Sequence, residues 1–139
     1  MPKVDSHSIR FAATTEELSR VREFIAEFSK KLKISAEQTH EIQMAVDEAC
    51  TNVIKHAYDY DNSREVELSV NVVADKLVIR IVDDGKSFDP SVYSYPDLKE
   101  RIKKRQRGGF GIYLIRSFMD EVEYSRQNGY NELRLVRKI

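Results

Sequence analysis

A polar stripe runs along the stretch AVDEACTNVIKHAYDY, which spans residues 45–60. Helical spacing of about 100° per residue places Glu48, Asn52 and Lys55 in a narrow arc at the edge of an apolar face. An acid and an amide one turn apart, beside the core, can point into a cleft between the helix and a sheet. The same spacing is also typical of a solvated helix edge, where residues four apart form a hydrogen bond. The stretch alone leaves both interpretations open.

Two further segments contain residue types that suit a binding site. In IVDDGKSFDP, Asp83 and Gly85 stand where a strand runs out into a loop. In RQRGGFGIYLI, Gly108, Gly109 and Gly111 stand at the start of a helix. Backbone amides at a helix N-terminus, unobstructed by Cβ atoms, form a natural phosphate site. The glycine and lysine pattern of a P-loop is absent, and the glycines come too late in the chain for a Rossmann nucleotide fold.

The segments around these residues show the periods of helices and strands. SIRFAA predicts a first strand, and the helix that follows has Thr14 and Glu17 spaced as a capping box. A second helix opens at Ser35, with Gln38 as its capping-box partner, and is expected to run to about Tyr58. The stretch FGIYLIRSFMDE predicts a short third helix.

Strand alternation predicts the rest of the fold. Residues 64–85 alternate apolar and polar side chains on both sides of a turn, and residues 122–138 predict a closing hairpin that turns at Asn128 and Gly129. Asp83 has the parity of the inward apolar residues of its strand, so its carboxylate is expected to point toward the apolar layer. The pattern predicts an α+β fold, a two-layer sandwich of a mostly antiparallel mixed sheet with helices on one face.

The composition limits the classes of protein to which the chain can belong. Its 139 residues suit a single domain, residues 1–139, and 41% hydrophobic with 33% charged residues is typical of a globular protein. A formal net charge of zero gives no electrostatic argument for binding nucleic acid or membrane. No apolar run is long enough to span a bilayer, and the N-terminus lacks a signal-peptide core. A single cysteine, Cys50, is compatible with the cytoplasmic location that we expect.

Taken in order, the three motifs resemble the ATP-binding set of the GHKL superfamily, which has the Bergerat fold. The shared features are a glutamate and an asparagine four apart on a helix, an aspartate and a glycine at a strand end, and a glycine pair opening a helix. More narrowly, DEACTNVIKHAY, DDGKSFDP and RGGFGIYLIRSFMDEVEY resemble the anti-sigma-factor serine/threonine kinases, small bacterial partner-switching kinases. The resemblance covers nearly the whole chain, and it implies ATP and Mg²⁺ as cofactors.

The resemblance also implies a role for each motif residue. Glu48 would be the general base that accepts the proton of a serine hydroxyl on a protein substrate. Asn52 would bind the magnesium ion that bridges the phosphates, through its hard amide oxygen. Asp83 would accept a hydrogen bond from the adenine amino group, and Gly85 would let the base approach the backbone. The glycines of the third motif would hold the phosphates.

Basic residues are further candidates for contacts with the nucleotide. Lys55 would be within reach of a phosphate, although lysines on helix edges are usually just solvated. The loop LKERIKKRQRGG would be an ATP lid whose cations neutralise the γ-phosphate, with Arg105 and Arg107 best placed. The same loop is also compatible with a plain solvated segment. As a nucleic-acid patch it lacks aromatic residues that stack on bases.

The sequence departs from the family pattern at two positions. Ser87 stands where a second glycine is often found after the strand-end aspartate, which would stiffen this loop or slow nucleotide exchange. Near the C-terminus the family often has Gly-Thr before the last strand, whereas here Tyr130 and Asn131 follow Gly129. The resemblance therefore does not imply the adenine contact of that threonine for this chain.

The resemblance implies a serine/threonine protein kinase that phosphorylates a small antagonist protein and sequesters a sigma factor. It also suggests a homodimer, with the first strand and first helix as partner surfaces, and no direct contact with nucleic acid or membrane. The alternative is an ATP-binding switch module without kinase turnover. Glu48 together with Asn52 favours the kinase, because a pure binder needs no base. The catalytic domain of a histidine kinase is a third class, but it requires a phospho-accepting histidine on a preceding helical hairpin, which the sequence does not show.

Overall fold

Five strands and three α-helices form the part of the chain that the computed structural model describes, residues 6–88 and 110–139. The strands are β1 (Ser6–Ala12), β2 (Glu65–Val73), β3 (Lys76–Asp83), β4 (Glu121–Gln127) and β5 (Tyr130–Lys138). The α-helices are α1 (Leu18–Lys31), α2 (Ala36–Asn52) and α3 (Phe110–Phe118). The predicted α+β architecture is confirmed.

The strands form one sheet in the order β1-β2-β3-β5-β4. All four pairings are antiparallel, so the mixed sheet that the sequence predicted is wrong for the described strands. The reason is the closing hairpin. β3 and β4 run in the same direction, but β5 turns back from β4 and lies between them, so no parallel pair forms.

The sheet has an apolar face and a polar face because its residues alternate along each strand. The inward residues of the central strands are buried in one core with the apolar faces of the helices; among them are Leu68, Ile79, Ile81, Leu135, Val21, Ile25, Ile42 and Val46. The outward face includes ion pairs between neighbouring strands, such as Arg80 with Glu132 and Arg134 with Glu123. This arrangement leaves the ends of the strands, next to the helices, as the place for a site.

The helix starts agree with the sequence prediction in one case and differ in the other. Ser35 caps α2, because its hydroxyl accepts a hydrogen bond from the Gln38 backbone N–H at 3.1 Å. Thr14 instead caps a short 3₁₀ turn, Thr15–Glu17, through the Glu16 N–H at 3.4 Å, and α1 begins only at Leu18. The first helix is therefore entered through a tighter turn than the capping-box pattern predicted.

The end of α2 changes from α-helical to π-helical geometry. Val53–Ala57 form a π turn, closed by a hydrogen bond of 3.1 Å from the Tyr58 N–H to the Val53 carbonyl. Asp59 and Tyr60 follow with positive φ values of 49° and 63°, which stops the helix. The helix thus reaches the predicted end, but its last turn is wider than the sequence indicated. Among the described residues, no helix combines the length and the apolar character that crossing a membrane requires.

Candidate functional site

Asp83 is a buried carboxylate at the end of β3. Its side chain shares the inward parity of Leu77, Ile79 and Ile81, and only 5% of the residue is exposed. The predicted inward direction of this carboxylate is therefore confirmed. Burial raises the pKa of Asp83, and hydrogen bonds from Asn131 and Gly85 partly oppose that shift. Burying a carboxylate costs free energy, so its presence here suggests a role other than packing.

The two carboxylate oxygens of Asp83 have different surroundings. Oδ1 accepts hydrogen bonds from the Gly85 backbone N–H at 2.9 Å and from Asn131 Nδ2 at 2.8 Å. No side chain or backbone group of the described residues donates to Oδ2. Because the described residues contain no buried side-chain oxygen without a partner, Oδ2 is open to solvent or to a ligand. Asp83 thus offers one oxygen that is held by the protein and a second that can accept a hydrogen bond from a ligand.

A recess beside Asp83 brings together residues from α2, β3, β4 and β5. Its lining is formed by four apolar and four polar residues, Ala49, Val53, Phe88, Leu133, Asn52, Asp83, Tyr124 and Asn131. Apolar walls with a few convergent polar groups are typical of small-molecule sites. Asn52 and Asp83, which the sequence placed in separate motifs, are therefore brought to one site.

The acid and the amide on α2 lie one turn apart at this recess. Asn52 lines it, and Glu48 lies one turn earlier, half-buried and outside the lining. Burial raises the pKa of Glu48, and the negative charge of Asp47 adds to the shift. Neither side chain has a hydrogen-bond partner among the described residues, so both remain available to a ligand. The amide oxygen of Asn52 is the kind of hard donor that fits Mg²⁺.

Gly85 is required by the close approach of two backbone segments. A Cβ at this position would lie 2.4 Å from the carbonyl oxygen of Ala57, which is far inside van der Waals contact. The next residue, Lys86, donates its backbone N–H to the same carbonyl at 2.9 Å. The loop after β3 is thereby attached to the end of α2, which explains the glycine independently of any nucleotide.

The other residues predicted for the site either lie away from the recess or fall outside the described residues. Gly111 lies at the second position of α3, as the glycine motif predicted. Lys55 is exposed in the π turn and does not line the recess. Gly108, Gly109, Arg105 and Arg107 lie outside the described residues. Ser87, at the departure from the family pattern, lies 3.1 Å from the Tyr124 hydroxyl.

Sequence reasoning missed two polar residues of the recess. Asn131 is only 3% exposed, and it pairs with Asp83 across the β3–β5 ladder. Tyr124 donates its hydroxyl hydrogen to Asn131 Oδ1 at 2.7 Å. A signal was present, because Asn131 has the inward parity of Leu133 and Leu135. A polar residue at an inward strand position, opposite an inward aspartate, indicates a paired polar site.

The neighbouring aspartates, Asp83 and Asp84, are expected to have opposite effects on stability as the pH changes. The pKa of Asp83 is raised in the folded chain, so the free energy of unfolding falls as pH rises from the ordinary aspartate pKa through the raised value. The Arg64 guanidinium, with the Tyr58 hydroxyl, lowers the pKa of Asp84, so stability rises as pH increases from that lowered value through the ordinary one. Asp83→Asn should therefore gain stability relative to wild type as pH rises, and Asp84→Asn should lose it.

Urea unfolding of wild type, Asp83→Asn and Asp84→Asn between acidic and neutral pH measures both differences. An amide oxygen at position 83 can still accept the two hydrogen bonds that Oδ1 accepts, so the variant isolates the charge. Parallel pH dependences of the two variants would contradict the assigned surroundings of these carboxylates.

Comparison with known proteins shows which proteins the chain is similar to. A family model described as a histidine kinase-like ATPase domain matches residues 11–137. A protein of Oceanobacillus iheyensis named Serine-protein kinase RsbW is 30% identical over 135 residues, which are 93% of this chain and 84% of that protein. The protein of the same name from Bacillus subtilis (strain 168) is 28% identical over 130 residues, 90% of this chain and 81% of that protein.

Solved structures share the fold at lower identity. The RsbU and RsbW domains of Rv1364c from Mycobacterium tuberculosis match with a TM-score of 0.69 at 15% identity, covering 96% of this chain and 32% of that one. A chain of the SiaB–SiaC complex from Pseudomonas aeruginosa matches with a TM-score of 0.69 at 11% identity, covering 94% of this chain and 88% of that one. At these identities the likeness extends to the fold alone.

Proposed function

Since the chain belongs to the family of histidine kinase-like ATPase domains, we propose that it is an ATP-dependent serine/threonine protein kinase of the anti-sigma-factor type. The observation that supports this most is that Asp83 and Asn52 line the same recess. Glu48 lies one helical turn before Asn52. In this proposal Asp83 would accept a hydrogen bond from the base, Asn52 would bind the metal ion, and Glu48, beside the recess, would be the general base. The relatives named Serine-protein kinase RsbW support the same activity.

The nucleotide would enter the recess with its adenine at Asp83. The open Oδ2 would accept a hydrogen bond from the adenine amino group, and the apolar walls would cover the faces of the ring. The phosphates would extend toward the glycines at 108, 109 and 111. Lys55, Arg105 and Arg107 are the candidate cations for the phosphates, because transition-state charge on phosphoryl oxygens requires compensation.

Asn52 would hold Mg²⁺ through its amide oxygen, together with phosphate oxygens of the nucleotide. When bound, the ion neutralises phosphate charge during transfer. This assignment is supported by the position of Asn52 in the lining of the recess, where its side chain has no hydrogen-bond partner among the described residues.

Glu48 would act on the protein substrate. The serine oxygen of the antagonist attacks the γ-phosphorus, the bond to the β,γ-bridging oxygen breaks, and ADP leaves. The serine proton passes to the Glu48 carboxylate. The raised pKa of Glu48 suits this role, since a more basic carboxylate accepts a proton more readily at neutral pH.

The partners follow from the same proposal. The substrate would be a small antagonist protein, and a sigma factor would be the protein that the kinase sequesters. We also propose a homodimer that contacts its partners through β1 and α1, and a cytoplasmic location, where sigma factors act. Size-exclusion chromatography with light scattering measures the oligomeric state.

A phosphorylation assay tests the proposal directly. The purified protein is mixed with a candidate antagonist, identified by co-purification or gene neighbourhood, and with labelled ATP and Mg²⁺. We expect label on a serine or threonine of the antagonist, in an amount that grows with time and disappears without Mg²⁺. Tight binding of ATP and a stable antagonist complex without any label would instead make the protein an ATP-binding switch module.

A further inference from the structure

Asn131 is saturated with hydrogen bonds inside the protein. Its Oδ1 accepts from the Tyr124 hydroxyl and from Arg126 Nη1, both at 2.7 Å. Its Nδ2 donates to Asp83 Oδ1 at 2.8 Å and to the Lys86 carbonyl at 2.7 Å, with a longer contact of 3.4 Å to the Gly85 carbonyl. A carboxamide has two N–H hydrogens and two oxygen lone pairs, and all four are used. Asn131 has no capacity left for a direct bond to a ligand.

The orientation of this amide is fixed by its partners. Arg126 has only donors, so it must face the amide oxygen, and the Lys86 carbonyl can only accept, so it must face the amide nitrogen. The reversed amide would place a donor against a donor and an acceptor against an acceptor. Asn131 therefore always presents an N–H to Asp83.

This N–H determines what Asp83 can offer to a nucleotide. Together with the Gly85 N–H, it holds Oδ1 and fixes the plane of the carboxylate, so that Oδ2 stands as a rigid acceptor beside the recess. A rigid acceptor distinguishes a ring that has an amino group from a ring that lacks one, because only the amino group can donate. A carboxylate that could rotate would show a smaller difference in affinity between the two rings.

We propose that Asn131 is the positioning residue for base selection, which rests on the proposed adenine site at Asp83. Asn131 acts through Asp83 and not by touching the base. The Tyr124 hydroxyl holds Asn131 in place by donating a hydrogen bond to its Oδ1. The same hydroxyl accepts the Phe88 N–H at 3.2 Å, so this hydrogen-bond network includes the loop that borders the recess. The selectivity of the site for the 6-amino group is thus set on β5, the strand next to that of the acceptor, and on β4 beyond it.

The test compares two nucleotides in Asn131→Asp and in wild type. The variant keeps the shape of the side chain but replaces the N–H that faces Asp83 by an oxygen. ATP and purine riboside 5′-triphosphate differ only in the 6-amino group, so the ratio of their Kd values isolates the bond to Asp83. Calorimetric titrations with Mg²⁺ should give a wild-type ratio of about tenfold or more, as for a hydrogen bond to a charged group. In the variant this ratio should fall to about threefold or less.

The ratio separates positioning from a purely structural role. Loss of structure would weaken both nucleotides equally and would leave the ratio unchanged, and that result in a folded Asn131→Asp would overturn the inference. Asn71→Asp removes the same amide from the outer face of β2 and should keep the wild-type ratio. A wild type that binds ATP without discrimination, or not at all, would overturn the adenine site, and the inference with it.

Tyr124→Phe provides the same test without a new charge, and it decides the question if Asn131→Asp does not fold. It removes the hydroxyl donor to Asn131 and keeps the ring. The ratio should fall to between the wild-type and the Asn131→Asp values. Tyr130→Phe is the matched control, since Tyr130 is 56% exposed and does not line the recess. A ratio in Tyr124→Phe equal to that in Tyr130→Phe would refute the positioning network.

Discussion

Glu48→Gln is expected to bind ATP within a few fold of the wild-type affinity and to lose nearly all phosphate transfer to the antagonist. Glutamine keeps the shape of the side chain but cannot accept the serine proton at neutral pH. General-base assistance is typically worth about 10²–10⁴-fold in rate, so transfer should fall by that factor. Single-turnover transfer from labelled ATP, combined with calorimetric ATP binding, measures both quantities.

Two companion variants make the Glu48 result specific. Glu37→Gln removes an exposed carboxylate from the first turn of the same helix and should leave transfer unchanged. Asn52→Ala should weaken both ATP binding and transfer, because a magnesium ligand serves both. Undiminished phosphorylation by Glu48→Gln would remove this carboxylate from the mechanism.

Asp83→Asn is expected to bind ATP much more weakly than wild type. The Gly85 N–H and Asn131 Nδ2 both donate to the Oδ1 position, so they will hold the amide oxygen there. The amide nitrogen then stands at the Oδ2 position, where a donor meets the donor of the adenine amino group. Losing the hydrogen bond and leaving groups unpaired should cost about 1–3 kcal/mol of binding free energy, and the forced orientation places the loss toward the upper end.

Asp84→Asn is the control for this titration. Asp84 is the next residue in the chain, but its carboxylate pairs with Arg64 at 2.7 Å and does not line the recess. Its ATP affinity should match that of wild type. If Asp83→Asn binds ATP as tightly as Asp84→Asn, the adenine site has been assigned to the wrong carboxylate.

The positions of the main site residues could be predicted from the sequence because they depend on simple periods. Asp83 continues a strand whose inward residues alternate strictly, so its direction follows from the pleat. Glu48 and Asn52 are four residues apart on a helix, so they must share a side. Gly111 lies at the second position of α3, so the glycine motif marked this helix start by composition alone. These predictions use only neighbouring residues in the chain.

Other features depend on contacts between distant segments, which local patterns do not contain. The need for Gly85 comes from the Ala57 carbonyl, 28 residues earlier in the chain. The network around Asn131 requires that β5 lie between β3 and β4, an order that the sequence did not specify. Likewise the composition of Val53–Ala57 does not distinguish a π turn from an α-helical turn. The mixed sheet was predicted wrongly for the same reason.

The π turn has a consequence for how this chain can change in length. Its closing hydrogen bond spans five residues, from Val53 to Tyr58, where an α-helical turn spans four. Deleting one residue between positions 53 and 57 would leave Glu48 and Asn52 in place but would rotate Tyr58 by about 100°. The Tyr58 hydroxyl would then leave Asp84 and the Glu65 carbonyl, which it contacts at 2.8 and 2.6 Å. The π turn therefore sets the rotation of Tyr58 about the helix axis relative to Glu48 and Asn52. A relative that lacks one residue in this turn should have a compensating change in the loop after β3.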